Sequence, residues 1–373
     1  MLRPLMAALL DPALIARLME TWVRRPRAPT RLVMDLTRRC NLRCEMCHTW
    51  KVEPAHELSP DEVRAALAQM PELLWLDLTG GEIFLRADAA ELFDAVLDAA
   101  KSLKVLHFPT NGWFTRRALE VTRRVRARRP DLALIVTVSV DGPEALHDRI
   151  RGREGSFRRA METYRALCEV PGADVYLGTT VTPSNRDHLD ALQAALAAEL
   201  PGFHPRRWHW NWLQVSQHFF ANAHLAEAAG ERAAPGALVH EHLERRGAPT
   251  SMVELMELMF LVNLDAYRRG ERAGIPCQAL RSAAFISPEG VVYPCHVWDR
   301  PVGDLRAQTL DEIWNAPETL KIREDITERL ACGGCFTPCE AYPALAGAPL
   351  HTLAQTARRG LTMLRARRRA GGI

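Results

Sequence analysis

Six apolar segments between residues 31 and 216 alternate with amphipathic helical segments, and this alternation limits the folds open to the chain. Strands that are apolar throughout belong to sheets covered on both faces, and helical connections between them make the sheet parallel. Six such units are typical of a partial barrel, so we expect an α/β fold, a partial (β/α)6 barrel. In such folds the chemistry lies at the C-terminal ends of the strands. The predicted strands are 31–37, 73–79, 105–110, 133–140, 175–182 and 208–216.

Three cysteines follow the first predicted strand directly, at Cys40, Cys44 and Cys47. A closed zinc site or an ordinary four-iron cube needs four ligands, so this C-x3-C-x2-C set is one ligand short. Two explanations remain open on the residues alone. A distant side chain such as His48 completes a zinc site, or three thiolates hold a four-iron cluster whose fourth iron stays open for a substrate or cofactor.

Short polar or glycine-containing motifs end the next three predicted strands. They are "TGGE" at 79–82, "TNG" at 110–112 and "SVDG" at 139–142, followed by "HDRIRG" at 147–152. Glycines permit close approach of the backbone to another group, and a carboxylate attracts an ammonium. Each motif alone is ordinary loop chemistry, so their order along the chain carries the interpretation.

A second group of cysteines lies near the C-terminus, at Cys277, Cys295, Cys332, Cys335 and Cys339. The segment "CQALRSAAFISPEGVVYPCHVW" predicts a short hairpin with its turn at "SPEG". Four thiolates would close an auxiliary [4Fe-4S] cluster, and a zinc ribbon is the alternative. Cys339 is a fifth candidate that either replaces Cys335 or is spare. We expect this unit to contain little apolar surface, so that a bound inorganic centre stabilises it. The remaining cysteine, Cys168, falls inside a predicted helix and is interpreted as a buried small apolar residue.

The cysteine loop and the ordered strand-end motifs resemble those of the radical S-adenosylmethionine enzymes, over most of residues 31 to 340. The resemblance implies that Cys40, Cys44 and Cys47 hold a [4Fe-4S] cluster whose open iron binds S-adenosyl-L-methionine. It implies reductive cleavage of that cofactor to a 5'-deoxyadenosyl radical, which abstracts hydrogen from the substrate. Asn41 and Met46 fit the family's cluster loop, whereas Ile83 stands where the family often has proline. The implied cofactor-binding residues are Met46, Gly80, Gly81, Glu82, Asn111, Ser139, Asp141 and Arg151.

The second cysteine group resembles the family's twitch or SPASM type of C-terminal domain. This resemblance implies that Cys277, Cys295, Cys332 and Cys335, with Cys339 in reserve, hold the auxiliary [4Fe-4S] cluster. The predicted organisation is a helical lead-in (1–30), a barrel core (31–223), a helical connector (224–272), an auxiliary cluster domain (273–345) and a basic C-terminal helix or tail (346–373).

Candidate substrate residues follow the sixth predicted strand, in the tryptophan-rich stretch 208–224. We expect Gln214, Ser216 and His218 at the barrel mouth in catalytic positions, with Gln217 and Asn222 as further candidates. A strand rich in tryptophan is more often packing than recognition, so the polar residues that end it are preferred.

Composition narrows the possible partners. The net charge is only +3, which gives no bulk electrostatic reason for nucleic acid binding, and no apolar run reaches the length of a membrane span. We therefore expect a cytoplasmic protein. Both ends carry basic, half-apolar segments, interpreted as a packed helix and a solvated tail, or alternatively as weak anchors to an anionic membrane surface at the inner membrane.

The leading functional hypothesis is a radical enzyme that oxidises or rearranges a small-molecule substrate, with an electron donor such as flavodoxin or ferredoxin. A peptide maturase is the alternative, although only about 30 residues precede the first strand, few for a separate peptide-binding domain. Two further hypotheses are a lipid-modifying enzyme at the membrane surface and a zinc-stabilised binding protein without enzyme activity.

Overall fold

The protein is described from a computed structural model, which covers residues 25–53, 56–227, 236–268, 274–326 and 335–370. Side chains are described within these ranges except at 236, 237, 252, 268, 349 and 361–370. The described side chains therefore leave out three predicted features: most of the helical lead-in, Cys332, and the arginines beyond residue 360.

Within the described ranges, a nine-stranded sheet forms the centre of the molecule, in the order β6-β5-β4-β3-β2-β1-β7-β8-β9. Strands β1 to β6 are parallel to their neighbours, and β7 is parallel to β1. The predicted partial (β/α)6 barrel is confirmed. The strands are β1 (Arg31–Asp35), β2 (Trp75–Thr79), β3 (Val105–Thr110), β4 (Ala133–Ser139), β5 (Ala173–Val181), β6 (Trp208–Trp212), β7 (Ala283–Ile286), β8 (Val291–Tyr293) and β9 (Gly303–Asp304).

Helices follow most of the strands. Helix α1 begins at the predicted cap, where Ser59 and Glu62 bond reciprocally to each other's backbone amides. The helices are α1 (Pro60–Ala68), α2 (Ala89–Ala99), α3 (Thr115–Arg128), α4 (Glu144–Arg151), α5 (Ser156–Cys168), α6 (Leu189–Glu199), α7 (Gly236–Arg246), α8 (Met252–Arg268), α9 (Leu310–Asn315), α10 (Pro317–Glu324), α11 (Pro338–Gly347) and α12 (Pro349–Ala370).

The C-terminal region shares the sheet and the core of the barrel. Strands β7 and β8 form the predicted hairpin, and β7 pairs with β1 from Arg31↔Ala283 to Met34↔Ile286. The expectation of little apolar surface here is wrong. Ile286, Val292 and Trp314 are fully buried in the same hydrophobic cluster as the barrel, because pairing with β1 places β7 over that core.

The tryptophans of β6 pack as the sequence indicated. Trp208, Trp210 and Trp212 are buried, and the Trp210 ring stacks on His242 of α7 with their centroids 3.9 Å apart. The predicted sixth strand ends at Trp212 instead of residue 216, because the chain then turns across the barrel mouth. No helix within the described ranges is long and apolar enough to cross a membrane.

Candidate functional site

The first three cysteines lie in the loop after β1, at the C-terminal end of the barrel strands. They share one small apolar cluster whose buried members are Leu42, Cys44, Met46, Ile150 and Leu213, with Cys40 and Cys47 packed against it. A short loop therefore gathers three sulfurs that are separated by three and two residues in the sequence.

Helix α4 supports this loop from behind. The backbone amides of Arg43 and Glu45 donate to the carbonyls of Arg151 and Ile150, each at 2.9 Å. Arg151 Nε donates to Asp141 Oδ2 at 2.5 Å, and its Nη1 lies 3.7 Å from Cys44 Sγ. Asp141 is fully buried, and the nearby guanidinium offsets part of the increase in pKa that burial causes in its carboxyl. Arg151, the last residue of α4, thus brings a fixed positive charge to the cysteine loop.

Gly80 and Gly81 let the end of β2 approach the backbone that leads into the cysteines. A Cβ atom at Gly81 would lie 2.2 Å from the Arg39 carbonyl oxygen, and one at Gly80 would lie 2.6 Å from that of Thr37. Gly80 also has φ +144, which side chains rarely adopt. The sequence predicts that these glycines let the backbone approach a cofactor. In the structure they let the end of β2 approach the backbone of residues 37–39. Direct contact of the glycines with a cofactor stays a prediction.

Glu82 and Asn111 connect the ends of β2 and β3. The Glu82 carboxylate accepts from the Asn111 amide at 2.7 Å and from Thr110 Oγ1 at 3.0 Å, and burial raises its pKa to about 7. Asn111 Nδ2 donates to Asn41 Oδ1 at 2.9 Å and lies 3.9 Å from Cys40 Sγ. These side chains border the cysteine loop, and Ser139 is half-buried at the end of β4 on the same side of the barrel.

The segment 213–222, here called the β6 loop, closes over the cysteine loop. Asn222 Nδ2 donates to the Met46 carbonyl at 2.8 Å, and the Phe220 carbonyl accepts from the His48 amide at 2.7 Å. Asn222 Oδ1 also accepts from the Ser216 amide at 2.9 Å. Asn222 is fully buried, so it fixes the loop to the residue between Cys44 and Cys47.

The proposed catalytic residues Gln214, Ser216 and His218 all lie in the β6 loop. Ser216 and His218 are buried, and Ser216 Oγ lies 3.2 Å from His218 Nδ1. His218 Nε2 lies 3.0 Å from the Cys295 carbonyl, so this histidine joins the β6 loop to the second cysteine group. Both polar groups have partners within the protein, an arrangement that holds the loop in place. A catalytic role for these residues stays a prediction.

The second cysteine group surrounds the β7–β8 hairpin. Backbone amides donate to two of its sulfurs, Ala279 N to Cys277 Sγ at 3.4 Å and Trp298 N to Cys295 Sγ at 3.3 Å. Such bonds to sulfur are one of the means by which proteins tune iron–sulfur clusters. Cys339 is the second residue of helix α11 and lies near Arg31 of β1. Cys332 lies outside the described residues.

Asp35, which the sequence analysis did not single out, is a candidate at the end of β1. It is fully buried, its Oδ1 accepts from the Thr37 amide at 3.2 Å, and its Oδ2 has no hydrogen-bond partner. Burial raises the pKa of this carboxyl to about 8. A carboxylate directly after the apolar residues 32–34 of a buried strand is a signal that the sequence contains.

The residues present fit iron–sulfur ligation. Burial raises the pKa of the Cys40 and Cys47 thiols to about 12, so thiolates here need a cationic partner, which cluster iron provides. Within the described residues, no three His, Cys, Asp or Glu side chains are grouped to hold a single metal ion. Three thiolates in one loop suit a cluster, whose ligands bind separate irons and leave one iron open.

Two family models match the chain. The Radical SAM superfamily model matches residues 34–195, and the model of the SPASM iron-sulfur cluster-binding domain matches residues 277–336. The first range contains the three-cysteine loop and the strand-end motifs. The second contains Cys277, Cys295, Cys332 and Cys335 and ends before Cys339.

Similar curated proteins include a bacteriocin biosynthesis protein, a heme synthase and a mycofactocin maturase. The antilisterial bacteriocin subtilosin biosynthesis protein AlbA of Bacillus subtilis is 24% identical over 83% of this chain and 67% of its own length. The AdoMet-dependent heme synthase of Methanosarcina barkeri is 26% identical over 83% of this chain and 88% of its own. The mycofactocin maturase MftC of Mycolicibacterium smegmatis is 32% identical, over 49% of this chain and 45% of its own.

Solved structures share the fold at low sequence identity. Streptococcus suis SuiB bound to S-adenosylmethionine has a TM-score of 0.56 at 15% identity, over 85% of this chain and 72% of its own. Native anSMEcpe with bound AdoMet has a TM-score of 0.55 at 15% identity, over 88% of this chain and 99% of its own.

Proposed function

Because the chain belongs to the radical S-adenosylmethionine superfamily and carries a SPASM domain, we propose that it is a radical enzyme that modifies a peptide. It is an enzyme whose cofactors are [4Fe-4S] clusters and S-adenosylmethionine. The observation that carries the proposed reaction is the loop after β1, which brings buried Cys44 and half-buried Cys40 and Cys47 together at the C-terminal end of the strands. When bound there, the cofactors supply an electron and a radical that removes hydrogen from carbon.

The chain's own residues hold and shield this site. Cys40, Cys44 and Cys47 would bind the first cluster, while Arg151 lies against Cys44 and balances the charge of buried Asp141. Asn111 and Glu82 fix the neighbouring strand ends. The β6 loop excludes water from the Met46 side through buried Asn222.

The residues of the second group would hold the auxiliary cluster. We assign Cys277, Cys295, Cys332 and Cys335 as its ligands, and the end of the SPASM match at residue 336 supports Cys335 over Cys339. The amide donors to Cys277 and Cys295 suit sulfurs that carry negative charge.

The proposed substrate is a peptide, in place of the small molecule that was the leading hypothesis from the sequence. AlbA is named for the biosynthesis of a bacteriocin, and SkfB of Bacillus subtilis for maturation of the sporulation killing factor. One solved relative, SuiB, was captured with the precursor peptide SuiA. The small-molecule alternative is retained because the relative named as a heme synthase aligns along most of its length.

An external one-electron donor such as flavodoxin or ferredoxin completes the proposal, since reductive cleavage consumes an electron that the chain does not generate. We place the enzyme in the cytoplasm, where thiolate ligands stay reduced. A membrane-surface or lipid-modifying role is left out, because Arg359 of the basic C-terminal segment is buried and donates to Asn263 of α8.

The test is an anaerobic reaction of the reconstituted enzyme with short peptides encoded beside its gene. We expect formation of 5'-deoxyadenosine and a peptide product that has lost a pair of hydrogens or gained a cross-link, identified by mass spectrometry. Cofactor cleavage with no change in any such peptide, but with turnover of a haem precursor, would establish the small-molecule alternative instead.

A further inference from the structure

The sulfur of Cys44 accepts a hydrogen bond from a cation. Nη1 of Arg151 donates to Cys44 Sγ at 3.7 Å, and the Arg151 side chain is 12% exposed. Cys44 is buried, whereas Cys40 and Cys47 are half-buried. Salt screens buried charges much less than exposed ones, so the guanidinium acts on this sulfur with little screening.

Neutral groups donate to the other two sulfurs of the loop. Asn111 Nδ2 donates to Cys40 Sγ at 3.9 Å, and the backbone amide of Thr49 donates to the Cys47 sulfur. Among the described residues, Cys44 is therefore the cysteine of this loop whose sulfur is bonded to a charged side chain. The positive charge is directed at one ligand of the three.

Asp141 holds the guanidinium in this position. Its Oδ2 accepts from Arg151 Nε at 2.5 Å, and its Oδ1 accepts from the Thr180 amide at 2.9 Å. The Asp141 carbonyl accepts from Asn185 Nδ2 at 2.9 Å, and its amide donates to His147 Nδ1 at 3.0 Å. Every polar group of Asp141 is thus bonded, so the carboxylate is fixed and orients the guanidinium toward Cys44.

The cysteine loop is fixed to the end of α4 on both sides of Cys44. The amides of Arg43 and Glu45, its two neighbours, donate to the last carbonyls of the helix, those of Arg151 and Ile150, at 2.9 Å each. Ile150 also belongs to the same apolar cluster as Cys44. The contact between the guanidinium and the sulfur is therefore built into the backbone of the loop and the helix.

The charge of Asp141 offsets the guanidinium only in part. Arg151 lies between the two groups, with Nε toward the carboxylate and Nη1 toward the sulfur, so the guanidinium acts on Cys44 more strongly than the carboxylate does. Net charge and hydrogen bonds to the sulfurs are among the factors that set the reduction potential of an iron–sulfur cluster. A cation bonded to a ligand sulfur favours the reduced state, which carries one more negative charge.

We propose that Arg151 is a positioning residue for electron uptake, which acts through the Cys44 sulfur to raise the reduction potential of the first cluster. The external donor supplies the electron, and the guanidinium keeps its proton throughout. The proposal rests on the proposed ligand role of Cys40, Cys44 and Cys47, but not on the identity of the substrate. The family resemblance implies that Arg151 contacts the cofactor, whereas its bond to Cys44 gives it a role before any cofactor binds.

A redox titration of the reconstituted enzyme without S-adenosylmethionine, followed by electron paramagnetic resonance, tests this role. The signal that changes when S-adenosylmethionine is added afterwards identifies the first cluster. We expect Arg151→Met to make its reduction at least about ten-fold less favourable, which is a fall of about 59 mV for one electron. Arg151→Lys, which keeps the charge, should restore part of the fall. The potential of the auxiliary cluster should not change.

Arg153→Met is the matched control. Arg153 is exposed, lies two residues beyond Arg151, donates to the Asn41 carbonyl at 3.2 Å and stacks on Trp113 at 3.7 Å from the ring centroid. Its removal should leave the potential unchanged, because solvent screens its charge and none of its contacts is with a sulfur. An equal fall in Arg153→Met would overturn the proposal. An unchanged potential in Arg151→Met with weaker binding of S-adenosylmethionine would also overturn it, and would assign the residue to the cofactor alone.

Arg151→Met leaves the buried Asp141 carboxylate unpaired, so a second variant combines it with Asp141→Asn. This pair of changes removes both charges, and we expect a smaller fall in the same direction; the wild-type potential in this variant would overturn the proposal. A wild type whose signal does not respond to S-adenosylmethionine would refute the cluster assignment and this proposal together. The expected fall in an enzyme that modifies no peptide would support the role of Arg151 and refute only the proposed substrate.

Discussion

Buried carboxylates at the strand ends are balanced by individual neighbouring donors or cations. Asp141 is balanced by Arg151, and Glu82 by the donors of Asn111 and Thr110. Asp35 keeps one carboxylate oxygen without a partner. Breaking such a buried pair leaves an uncompensated charge, which costs several times more than an exposed ion pair is worth.

The three cysteines of the first loop should each be indispensable. We expect Cys40→Ala, Cys44→Ala or Cys47→Ala to abolish reductive cleavage of S-adenosylmethionine, because each removes a cluster ligand from a three-ligand set. The measurement is 5'-deoxyadenosine formation with dithionite. Cys168→Ala is the control and should keep full activity, because Cys168 on α5 is exposed; its predicted burial is wrong. Wild-type cleavage by the triple variant would refute the assignment.

Asp35→Asn should stabilise the protein increasingly as the pH rises. Burial raises the Asp35 pKa from 3.8 to about 8, so between these values the folded state binds a proton that the unfolded chain has released. The folded state therefore loses stability relative to the unfolded state as pH rises through this window, and asparagine removes that loss. Urea unfolding at about pH 5 and about pH 8.5 should show a larger gain at the higher pH. A gain independent of pH would show that Asp35 does not titrate this way.

At the scale of an element, the β6 loop joins the two cysteine groups. It contacts Met46 and His48 on one side and the Cys295 carbonyl on the other. Ala221 within it has φ 50, a left-handed conformation that costs a residue with a side chain about 1–2 kcal/mol. The surrounding hydrogen bonds outweigh this cost, which indicates that the loop's path is held for the sake of its two contacts.

Asn222→Ala should loosen the cysteine loop. It removes the bonds to Met46, Gln214 and Ser216 and leaves buried backbone groups unpaired, so we expect a loss of at least about 2 kcal/mol in unfolding free energy. Weaker binding of S-adenosylmethionine to the reconstituted enzyme should accompany it, measured by equilibrium dialysis. Ala221→Gly is the control in the same loop and should be neutral or stabilising, because glycine adopts positive φ readily. Unchanged cofactor affinity in Asn222→Ala would remove the positioning role.

At the scale of the whole molecule, one continuous sheet holds both cysteine groups apart. Strand β7 pairs in parallel with β1, so Cys277, which precedes β7, lies toward the N-terminal end of β1, while Cys40 follows its C-terminal end. The sheet thus separates the two groups along its strands, and the β6 loop connects them.

Changing Cys277 and Cys295 together to serine should remove one cluster and leave the other. We expect iron and acid-labile sulfide to fall by about half, with the electron paramagnetic resonance signal that responds to S-adenosylmethionine retained, because the first loop lies at the other end of β1. Iron analysis and spectroscopy of anaerobic protein measure both. An unchanged iron content would refute the assignment of these ligands.

The sequence by itself determined the barrel and the two cysteine groups. Apolar strands that alternate with amphipathic helices indicate a sheet buried on both faces, so the barrel can be predicted from the order of residues. The cysteine groups can be predicted for a related reason, because the spacing of ligands within a loop is a local feature of the sequence. The capping box at Ser59 and the hairpin at residues 287–290 were readable for the same reason.

The tertiary structure alone decided which distant groups meet. It placed Gly81 against Arg39, gave Ser216 and His218 partners within the protein, and added β7 to the edge of β1. It also buried Arg31 against Asp77 beside a cavity. These outcomes depend on contacts between residues far apart in the chain, whose energies no local pattern records, because a charged or polar residue shows its partner only once the chain is folded.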